Sequence, residues 1–144
     1  MENNSVKSEF EIGKSCVKEF NIDIINRNFP KEKKYNFELK VGISDIQVKE
    51  EYQYANIFLA CNIMLKNEER EVLKIYIKYM GEFRASVKLE KNKFLNYCKY
   101  NGAPIISQNL RAYLKAVTAL SEIEPIDFPT INFNNVFKEE NKEK

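Results

Sequence analysis

From Ala103 onward the chain reads as a helix that must lie on something. Pro104 suits a first helical position, where its missing N–H is no loss. Ile105, Ile106, Leu110, Tyr113, Leu114, Val117 and Leu120 recur at three- and four-residue steps as one apolar stripe. Gln108, Asn109, Arg111 and Lys115 occupy the opposite face. Past Ser121 the pattern stops, and Pro125 and Pro129 forbid a regular helix. Residues 126–133 then read as an extended apolar ribbon that lacks the donors of a central strand. An amphipathic helix leading into such a ribbon needs a sheet beneath it.

The preceding residues supply one. Over 10–24 the even positions are Phe10, Ile12, Lys14, Cys16, Lys18, Phe20, Ile22 and Ile24, and the odd ones are mostly polar. Period two with one wet face predicts a long strand. Residues 26–34, with Pro30, read as a crossover loop. Tyr35, Phe37, Leu39, Val41 and Ile43 alternate with Asn36, Glu38 and Lys40 as a second strand. In a third, over 52–66, Ala55, Ile57, Leu59, Cys61, Ile63 and Leu65 should all face the core. A polar turn at 67–70 makes a hairpin with a fourth strand over 72–79. Its inner set is Leu73, Ile75, Ile77 and Tyr79, its outer set Lys74, Tyr76 and Lys78, and Gly81 is expected to end it. A weaker helix is predicted over 88–99, with Asn101-Gly102 as a stop signal.

Strands first and helices after define an α+β fold, a four-stranded antiparallel sheet with two C-terminal helices packed on one face. At 144 residues the chain fits one domain. That domain is expected over 10–137, between a disordered N-terminus, 1–9, and a charged flexible tail, 138–144. Net charge is only +2, which argues against a nucleic-acid field. The apolar runs are too short to span a bilayer, so no membrane insertion is expected. Residues 1–10 lack the basic-then-apolar order of a signal peptide, and a cytoplasmic location follows as the expectation. Cys16, Cys61 and Cys98 are far apart and odd in number, favouring buried free thiols over disulfides or a metal site.

The chain has no histidine and only 4 isolated glycines, which removes histidine-based catalysis and glycine-rich phosphate loops. Carboxylates gather at Glu50-Glu51 and Glu68-Glu69-Glu71, but in predicted turns, where solvated charge is the ordinary role. Lys31, Lys33 and Lys34 form a basic knot diluted by Glu32, and read as a solvated loop. No catalytic residue, cofactor or metal is assigned, and an enzyme is not expected. What remains is aromatic: Phe29, Tyr35 and Phe37 in or beside the crossover loop, Phe128 and Phe133 in the ribbon. Such rings either fill the edge of the core or line an exposed apolar groove, and on a soluble protein a groove of that kind marks a binding surface.

At this point the chain resembles the SecB family of protein-export chaperones. Phe10, Ile12, Lys14, Lys18, Glu19, Asn21 and Asp23 are similar to that family's first strand, and Gly81-Glu82-Phe83 looks like its G-x-F signature. Pro104 with Arg111, and the close from Pro129 to Phe137, look like its P-Y-x-R-E helix and P-V-N-F-D-A-L-F end. The likeness runs over about 10–137. It implies a homotetramer, a dimer of dimers with helices sandwiched between sheets, in which Ile75, Ile77 and Tyr79 face helices. It also implies an ATP-independent holdase for unfolded polypeptides, whose groove would use Phe29, Tyr35, Phe37, Phe128 and Phe133. Glu19 and Asp23 match two positions of the face on which relatives dock the SecA motor. Lys74 and Tyr76 depart from that acidic patch. Some relatives instead serve one antitoxin of a toxin–antitoxin system, and an antitoxin is then the client. Two further function classes stand beside the chaperone. A nucleic-acid-binding α+β module would show a steep salt dependence of binding. An enzyme using Asp, Glu, Lys or Tyr would show a closed pocket in place of an open groove.

Overall fold

The computed structural model describes residues 10–142, without the side chains of 139–142. Residues 1–9, expected as a disordered N-terminus, and 143–144 lie outside the described residues. An antiparallel sheet in the order β1-β5-β4-β2 is built from β1 (Phe10–Ile24), β2 (Asn36–Ile43), β4 (Tyr52–Asn67) and β5 (Arg70–Ser86). A short β3 (Gln47–Lys49) pairs with β4 beyond the end of β2. Helix α1 (Lys91–Tyr97), a π-helical turn (Cys98–Gly102), α2 (Ala103–Leu120) and α3 (Phe133–Lys142) follow.

The core lies between β4–β5 and α2. The expected inward set of β4, from Ala55 to Leu65, is at most 2% exposed throughout. Ile75 and Ile77 of β5 face the same way and are buried, and Tyr79 beside them is half-buried. Ile75 and Ile77 belong to the buried core of the chain, and Tyr79 packs against it. From α2, Ile106, Leu110 and Leu114 descend onto the sheet and are fully buried. Each large aliphatic buried in this way contributes about 1.5–3 kcal/mol. The expected stripe was too wide: Ile105 is 40% and Leu120 84% exposed. Ser107 and Thr118 take buried places on that face instead.

Four expectations about boundaries and phase are corrected. β5 does not end at Gly81 but runs through it to Ser86. A Cβ at Gly81 would collide with Ile106 of α2, so the glycine marks close helix-on-sheet packing and not a strand end. Asn101-Gly102 does not stop a helix. Gly102 is buried and helical, with φ −71°, and a Cβ there would lie 2.8 Å from Ile57 and 3.1 Å from Phe83. Space, not turn chemistry, selects it. Residues 133–142, expected as ribbon end and charged tail, form α3, with Phe133 and Phe137 buried. Asn132 Oδ1 accepts from Asn135 N at 3.2 Å, a side-chain cap on that helix.

The fourth concerns β1, whose alternation slips twice, between Ile12 and Ser15 and between Val17 and Glu19. Between the slips the half-buried residues are Ser15 and Val17, and Cys16 is turned outward and exposed. The even-numbered Lys14 and Lys18 were the visible misfits. A bulge adds one residue to one strand and so exchanges its two faces. Cys61 and Cys98 are the buried thiols.

Candidate functional site

The crossover loop, residues 25–35, and the ribbon, residues 121–132, flank the β2 edge of the sheet. The loop is tied at its start by Ile25 N and Asn26 N, which donate to Val72 O at 3.0 and 3.3 Å. The Asn67 amide holds Asn28 O at 2.8 Å. On the ribbon side, Thr118 Oγ1 donates to Leu114 O at 2.7 Å and accepts from Ile126 N at 3.0 Å. Thr118 is fully buried, so this hydroxyl satisfies a backbone donor that water cannot reach. Sequence reasoning missed it, because a threonine on an apolar stripe carries no signal of the distant N–H it serves. Loop and ribbon meet where Lys33 Nζ lies 3.4 Å from Glu124 Oε2.

Between these segments three of the five expected groove residues form a chain of ring contacts. Tyr35 and Phe37 have centroids 6.2 Å apart, and Phe37 meets Phe128 edge-on at 5.9 Å. Phe37 stands on β2 opposite Ile63. Tyr35 and Phe37 are half-buried, while Phe128 is 3% exposed. Burial pushes the Tyr35 hydroxyl above its usual pKa, and the Glu124 carboxylate adds to this. Phe29 is half-buried against the core, outside the chain of ring contacts. Phe133 belongs elsewhere. It is buried in α3 with its ring 6.3 Å from Phe137, which in turn meets Tyr100 at 5.6 Å. A shallow depression between Tyr100, Pro104 and Ile131 opens there. The four-residue step from Phe133 to Phe137 is the signal that could have found this second cluster.

On the other face of the sheet β1 and β5 are neighbours. Glu19 stands opposite Lys78, and Asp23 opposite Lys74. Both carboxylates are exposed, and both have a cation as cross-strand partner, so the strip alternates in sign. Lys78 Nζ also sits 5.0 Å from the ring centre of Phe58, which pairs with Met80 across β4–β5. Among the described residues no group of His, Cys, Asp and Glu has a metal-holding arrangement, and no helix is long and apolar enough to cross a membrane.

An α+β sheet with its helices on one face and an aromatic edge beside a crossover loop defines a SecB-like fold. A SecB-like chaperone of Mycobacterium tuberculosis, solved with a ChAD peptide from the HigA1 antitoxin, matches with a TM-score of 0.67 at 12% identity, over 85% of this chain and 91% of that one. A protein of unknown function from Streptococcus agalactiae gives 0.46 at 11% identity, over 84% of this chain and 97% of that one. No protein-family model matches the chain. No curated protein matches it significantly.

Proposed function

We propose that the chain is an ATP-independent holdase that shields apolar segments of non-native polypeptides against the Tyr35–Phe37–Phe128 patch. The observation that carries this reading is the run of ring contacts framed by two irregular segments. Roughly three anchors at about 1.5–3 kcal/mol each, set against an association cost on the order of 4 kcal/mol or more, make one patch a weak site. Several patches in a homotetramer, engaging one unfolded chain, raise avidity by roughly 10²–10⁴. The exposed apolar side chains Ile12, Ile105 and Leu120 support assembly. No nucleotide or metal enters this mechanism.

A client-dedicated form, with an antitoxin as client, is favoured over general export by two observations. The similar M. tuberculosis chaperone is bound to an antitoxin peptide. The outer strip pairs Glu19 and Asp23 with lysines, which opposes a basic motor tail. The test is aggregation of a chemically denatured client, and separately of an antitoxin from the same organism, followed by light scattering. Wild type should suppress both. A Phe29→Ser/Tyr35→Ser/Phe37→Ser variant should lose suppression while keeping its circular dichroism and oligomeric mass. Full activity in that folded variant would place the binding surface elsewhere.

A further inference from the structure

At the far end of the sheet from the aromatic patch lies a second apolar surface. Val48 opposes Gln53 and Phe37 opposes Ile63, ten positions apart on β4, which separates the two surfaces by roughly 33 Å. Val48 is 68% and Val87 44% exposed, and with Ile46 and Leu89 they line one depression. Leu89 is shared with an adjoining depression edged by Lys88, Lys93 and Glu90, and Lys91 borders the first. Among the described residues none of these three lysines has an ion-pair partner. Three cations against the single carboxylate of Glu90 leave the lining at a net charge of +2. Glu50 and Glu51, on the neighbouring turn, line neither depression.

The surface is held rigid from below. The buried Gln53 amide donates to Ser86 O at 2.9 Å and to Leu89 O at 2.8 Å. Val87 N donates to Glu51 O at 2.9 Å, and Lys88 N to Ser86 Oγ at 3.2 Å. The segment carrying Val87 and Leu89 is therefore fastened on both sides before any partner arrives, which lowers the ordering cost of binding. β3 contributes Val48 from a strand paired on one side only, so the depression is open along that edge.

We infer that this β3–α1 corner is a docking surface for an acidic peptide segment with an aliphatic centre. The aliphatic side chains would sit on Val48, Val87 and Leu89, and flanking carboxylates would meet Lys88, Lys91 and Lys93. Charge complementarity selects this occupant, since a basic segment would meet a lining with a net charge of +2. The surface is independent of the aromatic patch. The probe is a fluorescein-labelled peptide with central leucines flanked by glutamates, followed by anisotropy on the full chain. Binding is expected to weaken about tenfold in Lys88→Glu/Lys91→Glu/Lys93→Glu and in Val48→Asp, and as salt rises. It should be unchanged in Phe29→Ser/Tyr35→Ser/Phe37→Ser, which separates it from the holdase reading. Both corner variants alter exposed side chains, and unchanged circular dichroism certifies their folds. The inference is overturned by no binding, by equal binding of a lysine-flanked peptide, or by indifference to the corner variants. Dissociation of an oligomer by Val48→Asp without any peptide bound would assign the corner to a second copy of the chain and overturn it too.

Discussion

At the scale of single residues, Thr118 joins the helix to the ribbon. Its hydroxyl is donor to Leu114 O and acceptor from Ile126 N, with Ile126 itself 1% exposed. Thr118→Val keeps the volume and removes both roles, leaving the Ile126 N–H buried and unpartnered. A loss of about 1–3 kcal/mol in chemical denaturation is expected, whereas Thr118→Ser should lose less. A stability unchanged in Thr118→Val would show that this hydroxyl does not hold the ribbon. The thiols make a second residue-scale test. Cys61 and Cys98 are buried, and burial pushes each from 9.0 up to about 12. A thiol whose folded pKa is raised holds its proton in the native state after the unfolded chain has lost it. Its contribution is complete below pH 9 and is lost as pH rises towards about 12. Denaturant midpoints should therefore fall above pH 9, and a flat profile to pH 11 would contradict this burial. At neutral pH a thiol-reactive disulfide reagent should label Cys16 in the native protein and reach the other two only on unfolding.

At the scale of elements, the β4–β5 hairpin turns on Glu68-Glu69, with φ of 53° and 70°, between the paired Asn67 and Arg70. Positive φ at both central residues is the geometry that asparagine and glycine adopt easily and glutamate does not. A left-handed non-glycine residue costs roughly 1–2 kcal/mol. Glu68→Asn/Glu69→Gly should thus stabilise the protein by about 1 kcal/mol, after the entropic cost of the glycine, and raise Tm by a few degrees. A lowered Tm would mean that the turn carboxylates contribute more than their backbone strain costs. The turn's position was legible from its polar run between two alternating segments. Its strain was not, since Glu-Glu is a poor signature for such a turn. The helical elements divide in the same way. The stripe of α2 is plain in the sequence, while α3 was hidden by Pro129 and by the charged residues after Phe137.

At the scale of the whole molecule, the order β1-β5-β4-β2 puts β1 at the end of the sheet among the described residues and brings Glu19 and Asp23 beside Lys78 and Lys74. The first fact bears on assembly. Among the described residues β1 pairs on one side only, with β5, and Leu120 beyond the α2 stripe is 84% exposed; apolar surface of that kind is what assembly would cover. A tetramer dissociating through dimers is expected in light scattering, and monomer alone across micromolar concentrations would exclude it. The second bears on partners. Each exposed carboxylate–lysine pair is worth about 0–1 kcal/mol, so the strip offers a basic motor tail little attraction. Calorimetry against SecA of the same organism should show weak, salt-sensitive heat or none. Lys74→Glu/Lys78→Glu should strengthen it, and tight wild-type binding in physiological salt would restore an export role.

The sequence by itself determined the alternating strands, the inward set of β4, the position of the hairpin, the stripe of α2 and hence the α+β class. All of these follow from side-chain period, a property that neighbouring residues carry among themselves. Tertiary structure alone decided what depends on atoms distant along the chain. The two slips in β1 exist because β5 sets its register, and they turn Cys16 outward against the local alternation. Gly81 and Gly102 look like punctuation until Ile106, Ile57 and Phe83 are seen occupying the space a side chain would need. Of the aromatic residues outside the core pattern, Tyr35, Phe37 and Phe128 meet, and Phe133 turns away to Phe137. That partition rests on where the ribbon is fastened, and the Thr118 hydroxyl on α2 is one of the groups that fasten it, beside the Lys33–Glu124 pair.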